Sequence, residues 1–170
     1  EVMNNVGLSY YRLARRIITG CEGLENSLEP AIKLDYETQA KKLILDMPEQ
    51  LVAAEKSLKC RKDPDFIKFM KESNRYLLTA ALKDSKHIHS FINLSAYLIT
   101  SGEYNSAIKV TEKALEIEPG NEYVLNNKAL ALYLSNPKLH AKKALKVLSS
   151  IKTSADVRLA AIKNISLISN

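Results

Sequence analysis

The sequence has no tryptophan and only two cysteines, five glycines, five prolines and three histidines in 170 residues. Two cysteines do not make the disulfide framework of a small secreted fold. So little glycine and proline excludes collagen-like and linker-like chains. No apolar run approaches the roughly 20 residues that cross a bilayer; the runs are short pieces such as Leu43 to Leu45. What is present suffices for a core, since 46% of residues are apolar and 26% charged, more apolar than a disordered tail. One folded domain spanning 1–170 is expected, with no membrane insertion and a cytoplasmic location. The numbering opens on Glu1 with no basic-then-apolar leader after it, which reads as a processed chain or an excerpt.

Charge is unevenly spread. Residues 121–170 carry eight basic and two acidic groups, and 52–86 are also net basic, whereas 1–51 and 87–120 are each slightly acidic. A basic C-terminal end and a mildly acidic middle follow. Such asymmetry attracts nucleic acid or an acidic partner, or serves as a solvated lysine surface. Cys21 and Cys60 are expected as free thiols, a bridge requiring α-carbons within about 6 Å. His87 and His89 stand two apart, and on a helix such a pair diverges by about 200 degrees, unlike the four-residue spacing of zinc-binding helices. No metal and no cofactor is expected.

Apolar residues recur with helical period almost throughout, and strict two-residue alternation is absent, so the chain reads as all-α. Met3, Val6, Tyr10, Leu13 and Ile17 form one stripe, ended by Gly20 and Gly23. Pro30 suits the first turn of a helix over 30–45, and Asp46-Met47-Pro48-Glu49 resembles a capping box that starts a third. Asp63-Pro64 opens a fourth, with Ile67, Met70, Leu77 and Ala81 on one stripe that Asn74 interrupts. Helices over 86–100, 104–117, 122–134, 138–150 and 155–168 follow, with Gly102, Pro119-Gly120 and Ser135-Asn136-Pro137 at turns and Ser154 as the last cap. Nine helices joined by short turns imply antiparallel neighbours in a row of hairpins.

A repeat is present. Met3-Asn4-Asn5-Val6-Gly7-Leu8 aligns with Leu125-Asn126-Asn127-Lys128-Ala129-Leu130, and 91–98 gives a looser copy, Phe91 and Leu125 being 34 apart. Here the sequence resembles the tetratricopeptide repeat family. Phe91 stands in the place of that family's Trp, Leu94 and Ser95 in those of its Leu and Gly, Gly102 and Tyr104 at the turn, Ala107 and Ala114 on the second helix, and Pro119 at the close. Residues 122–150 continue with Leu125, Ala129, Ala141, Leu145 and Leu148. Small residues such as Ser95 and Ala107 let paired helices approach while Phe91, Leu98 and Leu115 fill the space around them. The hairpins of 1–83 depart from the pattern, since no second helix of the expected kind follows 1–18 and the 88 residues from Met3 to Phe91 are not a multiple of 34. The helix over 154–168, with Leu159, Ile162, Ile165 and Ile168, is half a hairpin: a cap, a dimer contact or the stump of a longer array.

The resemblance implies a right-handed superhelical stack whose first helices line a concave groove for an extended peptide or a partner's helix. Helical geometry then nominates Asn4, Leu8, Tyr11 and Arg12; His89, Ile92, Ala96 and Ile99; and Tyr123, Asn126, Leu130 and Tyr133. Asn both donates to and accepts from a peptide backbone, and Tyr adds rigid area with a polar tip. Alanine at Asn126 or Tyr133 is expected to weaken capture without lowering thermal stability. Asn93 or Asn127 matches the Asn of the family's carboxylate clamp for chaperone tails, but Ile92, Ala96, Tyr123 and Leu130 stand where its basic residues belong. No phosphate loop, nucleophile elbow or His-Glu-x-x-His helix is present, and Asp35 and Glu37 alternate faces. The expectation is a non-catalytic protein-interaction scaffold within a larger assembly, of undetermined oligomeric state. The rival is an RNA-associated module using Lys138, Lys142, Lys143 and Lys146 with His140, or Arg12, Arg15 and Arg16, although no stacking aromatics are interleaved with them. Asn93-Leu94-Ser95 and Asn164-Ile165-Ser166 match the glycosylation pattern but fall in helices expected to be packed.

Overall fold

The computed structural model describes residues 1–22, residue 31 and residues 62–169, the side chains of 18–22 and 156 excepted. Among them are seven helices and no strand: α1 (Val2–Glu22), α2 (Pro64–Lys83), α3 (Ile88–Ser101), α4 (Tyr104–Ile117), α5 (Glu122–Ser135), α6 (Pro137–Leu148) and α7 (Ala155–Ser169). The chain is all-α over these residues. The helices expected over 30–45 and from Asp46 onward, and any pairing of Cys21 with Cys60, lie outside the described residues.

Local chemistry fixes the helix ends. Asp63 Oδ1 accepts from the N–H groups of Asp65 and Phe66 at 2.9 and 3.0 Å, with Pro64 at the first position of α2. Asn121 caps α5 by accepting from Val124 N–H at 3.1 Å, and Asn136 caps α6 by accepting from Leu139 N–H at 3.1 Å. Each cap satisfies a donor that the helix itself leaves open. Gly102, at φ 84°, closes α3 in the left-handed conformation that glycine adopts without a Cβ penalty.

The helices pack in two sets. Consecutive helices touch from α2 onward, and α1 packs against α2. In addition α1 meets α3, α3 meets α5 and α5 meets α7, whereas α2, α4 and α6 make no such contacts with one another. α2 is therefore the second helix of the first hairpin, displaced along the sequence. Residues 23–63 stand between α1 and α2, where Gly102 and Glu103 suffice between α3 and α4. The first two helices are also longer, at 21 and 20 residues against 14 and 14 in the next pair. This insertion explains the long interval between Met3 and Phe91.

The expected stripe on α1 is rotated, whereas on α2 Met70, Leu77 and Ala81 are buried as expected and only Ile67 is not. On α1 the buried residues are Asn4, Gly7, Leu8, Tyr11, Ala14 and Arg15, while Leu13 is 38% exposed. The helix is gripped by both α2 and α3, so its contact arc is wider than one stripe and lies about one residue further along. Tyr10, at the edge of that arc, stacks on Tyr76 with centroids 6.0 Å apart. On α2 the buried set is Phe66, Met70, Ser73, Leu77, Ala80 and Ala81. Ile67 faces outward and Asn74 is half-buried, so the small Ser73 occupies the inward place that Asn74 was expected to break.

Gly7 marks the tightest crossing. A Cβ there would stand 2.8 Å from Leu77 Cγ and 2.9 Å from the Leu77 backbone nitrogen. The side chain could turn away but the backbone cannot. Gly7→Ala is therefore expected to push α1 off α2 and cost about 1–3 kcal/mol, read as a fall in Tm by circular dichroism; an unchanged Tm would contradict the close crossing.

Candidate functional site

Asparagine joins each successive pair in the odd-numbered set. Between α1 and α3, Asn93 Nδ2 donates to Asn4 Oδ1 at 3.0 Å. Between α3 and α5, Asn127 Nδ2 donates to Ser95 Oγ at 3.0 Å and to the Ile92 carbonyl at 3.2 Å. Between α5 and α7, Asn164 Nδ2 donates to Asn126 Oδ1 at 3.0 Å. All five asparagines are fully buried. A buried amide without partners is costly, and these groups meet that demand in one another and in nearby backbone. Tyr11 adds a further tie, its hydroxyl 2.7 Å from Thr100 Oγ1 and donating to the Ala96 carbonyl at 3.4 Å.

The nominated residues divide by burial. Asn4, Leu8, Tyr11, Ile92, Asn126 and Leu130 are buried, as are Ala96 and Ile99, whereas Arg12, His89, Tyr123 and Tyr133 are half-buried. His89, Ile92 and Tyr123 come together beside Glu118, Glu122 and Ser154 in a cavity of about 310 Å³. Asn126 is bonded to Asn164 at its Oδ1, which replaces the expectation that alanine there leaves thermal stability untouched. Arg15 is also buried; its guanidinium lies 5.8 Å from the centre of the Tyr11 ring, and its Nε and Nη2 meet no hydrogen-bond partner among the described residues.

One asparagine meets a main chain from far along the sequence. The Ala31 N–H donates to Asn127 Oδ1 at 2.6 Å, and Asn127 Nδ2 donates to the Ala31 carbonyl at 2.8 Å. In extended backbone the N–H and C=O of one residue point to the same side, so a single side-chain amide grips both, as a neighbouring strand would. Sequence reasoning nominated Asn126 for contact with a backbone. The signal that finds Asn127 instead is its 34-residue offset from Asn93.

At the first residue of α5, the Glu122 carboxylate accepts from three successive N–H groups: Lys152 at 2.8 Å, Thr153 at 3.0 Å and Ser154 at 2.6 Å. Burial alone would raise its pKa, but these donors outweigh that and hold it at about 2, against an ordinary 4.5. Burial, and then the nearby Glu103, push the Tyr97 phenol up to about 12. Neither group is poised to exchange a proton near neutrality.

His87 and His89 do not diverge as expected, because His87 stands ahead of the first turn of α3. Their rings meet edge to face at 5.4 Å, and His87 Nδ1 lies 2.6 Å from Ser90 Oγ. Among the described residues no three His, Cys, Asp or Glu side chains gather as a metal site, and no helix is long and apolar enough to cross a membrane. Lys138, Lys142, Lys143 and Lys146 are exposed on α6, outside the asparagine-linked set.

Two outcomes follow. Asn126→Ala removes the buried acceptor of Asn164 Nδ2 and should cost about 1–3 kcal/mol in thermal or urea unfolding. For Glu122 the folded pKa lies below the unfolded one, so its stabilisation is present above about pH 4.5 and fades as pH falls toward 2. Glu122→Gln should thus lower Tm at pH 7, and its gap from the parent should close on acidification across that window; a gap constant with pH would contradict the carboxylate's role. No family model, curated protein sequence or solved structure matches this chain, so its own geometry carries the functional reading.

Proposed function

We propose that this chain is a non-catalytic binding module built as a right-handed stack of helix hairpins similar to tetratricopeptide repeats, holding an extended segment of a protein partner against the odd-numbered helices. The observation that carries this reading is the two-point grip of Asn127 on the Ala31 main chain. Such a grip would suit any extended backbone, because no atom of the gripped side chain takes part. The packing supports the concave assignment: the odd-numbered helices meet one another while the even-numbered ones do not, as in a stack that curves toward its odd-numbered side. Tyr123 and Tyr133, half-buried on α5, supply rigid area on the same helix.

Random peptides selected on the immobilised chain, then synthesised and titrated into isotopically labelled protein, test this directly. Bound peptides are expected to move the Asn127 side-chain amide resonances and the backbone signals of Tyr123 and Tyr133. Tyr133→Ala should weaken the strongest of them by about tenfold, circular dichroism confirming that the variant is folded. Shifts confined to 138–146, together with retention of polynucleotide that falls steeply with salt, would transfer the chain to the RNA-associated reading.

A further inference from the structure

The side of α3 that should face a bound peptide is closed. Ile92, Ala96 and Ile99 were nominated for that side, and they are 0%, 0% and 1% exposed. Every residue of α3 from Ser90 to Thr100 is buried. At about 100 degrees per residue, eleven consecutive positions cover every direction around the axis, so this helix has no open face. An inner helix of an empty groove would keep a solvent-facing stripe.

A described occupant is present beside Ile92 and Ser95. Ala31 is 6% exposed and belongs to the same buried cluster as Ile92, Ala96 and Ile99. Its N–H and C=O are both held by Asn127, whose Nδ2 also reaches the Ile92 carbonyl and Ser95 Oγ. Ala31 lies 96 residues from Asn127 in sequence. Its small side chain leaves nothing bulky for the packed site to accommodate.

The site is also built to survive the departure of its occupant. Asn127 Nδ2 has two hydrogens and three acceptors in reach: Ala31 O, Ile92 O and Ser95 Oγ. With Ala31 gone, the other two still satisfy and orient the amide, and Oδ1 keeps only a long contact, 3.5 Å, with Asn126 Nδ2, so that it can accept the next backbone N–H. That is a preorganised receptor rather than one that collapses when vacated.

We propose that the backbone-reading site at Asn127 is occupied in cis by the chain's own Ala31, so that an outside peptide binds only by displacing it. This rests on the groove reading above and adds self-competition to it. A site filled in cis nine-tenths of the time binds an outside peptide about tenfold more weakly than the same site vacated. The ligand class is an extended segment with a small residue at the gripped position, and residues 27–35 of this chain, Ser-Leu-Glu-Pro-Ala-Ile-Lys-Leu-Asp, supply such a probe.

Two measurements on the full chain test the proposal. In the first, hydrogen exchange at the Ala31 amide should be slower by at least about tenfold than in the free 27–35 peptide. Adding that peptide in excess should restore fast exchange. In the second, Ala31→Pro removes the donated N–H, and this variant should bind fluorescein-labelled 27–35 peptide at least about tenfold more tightly than the parent. Exchange at the free-peptide rate would overturn cis occupancy and leave the groove reading to its own titration. Slow exchange that excess peptide does not relieve, or a folded Ala31→Pro variant that binds no more tightly, would make Ala31 a fixed part of the core and overturn the competition. Should Ala31→Pro not fold, the displacement of exchange protection in the parent chain decides alone.

Discussion

Buried amides that must find partners hold the odd-numbered helices in register. Asn93 reaches Asn4, Asn127 reaches Ser95 and Ile92, and Asn164 reaches Asn126, each across a helix boundary and each out of contact with water. Apolar burial is the larger driving force, but it is tolerant of sliding: one leucine contact replaces another at small cost. An amide pair is not tolerant, because a shift of one residue leaves two polar groups desolvated and unpaired. The hydrophobic surface brings the helices together, and the asparagines select one arrangement from those that burial alone would allow. Small residues make that arrangement reachable. Gly7 admits Leu77 at van der Waals limits, and Ser95, Ala107, Ala129 and Ala144 are fully buried where neighbouring helices converge.

The legibility of this fold in the sequence follows the locality of its causes. From α3 onward helix ends are set by residues that act on their own neighbours, such as Gly102, Asn121 and Asn136, and a reading by turn chemistry places them within a residue or two. The partnership of α1 with α2 was not legible, because residues 23–63 separate them and nothing local says that the chain returns to finish the hairpin. The inward face of α1 was misplaced by about one residue, and on α2 Ile67 was placed inward where Phe66 stands, for a related reason: hydropathy reads Asn4 and Ser73 as outward-facing, yet both are buried. His87 was treated as helical although it precedes the helix.

The site was half legible. The doubled asparagine stood out, as did the suitability of an amide for main-chain recognition. Which of the two neighbours would turn toward a backbone depended on a rotation of about 100 degrees that sequence alone does not fix. Asn126 spends its amide on α7 and Asn127 on Ala31. One repeated motif thus performs two tasks: both asparagines bond helix to helix, and Asn127 also holds the Ala31 main chain. Glu122 ties the start of α5 to the turn preceding α7, so α5 is anchored at both its first turn and its middle.

A double-mutant cycle on Asn4 and Asn93 tests most directly whether paired amides lock adjacent helices. With unfolding free energies measured for Asn4→Ala, Asn93→Ala and the double variant, the two losses should fall short of additivity by about 1 kcal/mol or more, since the first substitution already breaks the bond that the second would break. Losses that add to within about 0.3 kcal/mol would show that the two amides stabilise the fold independently and would contradict the account.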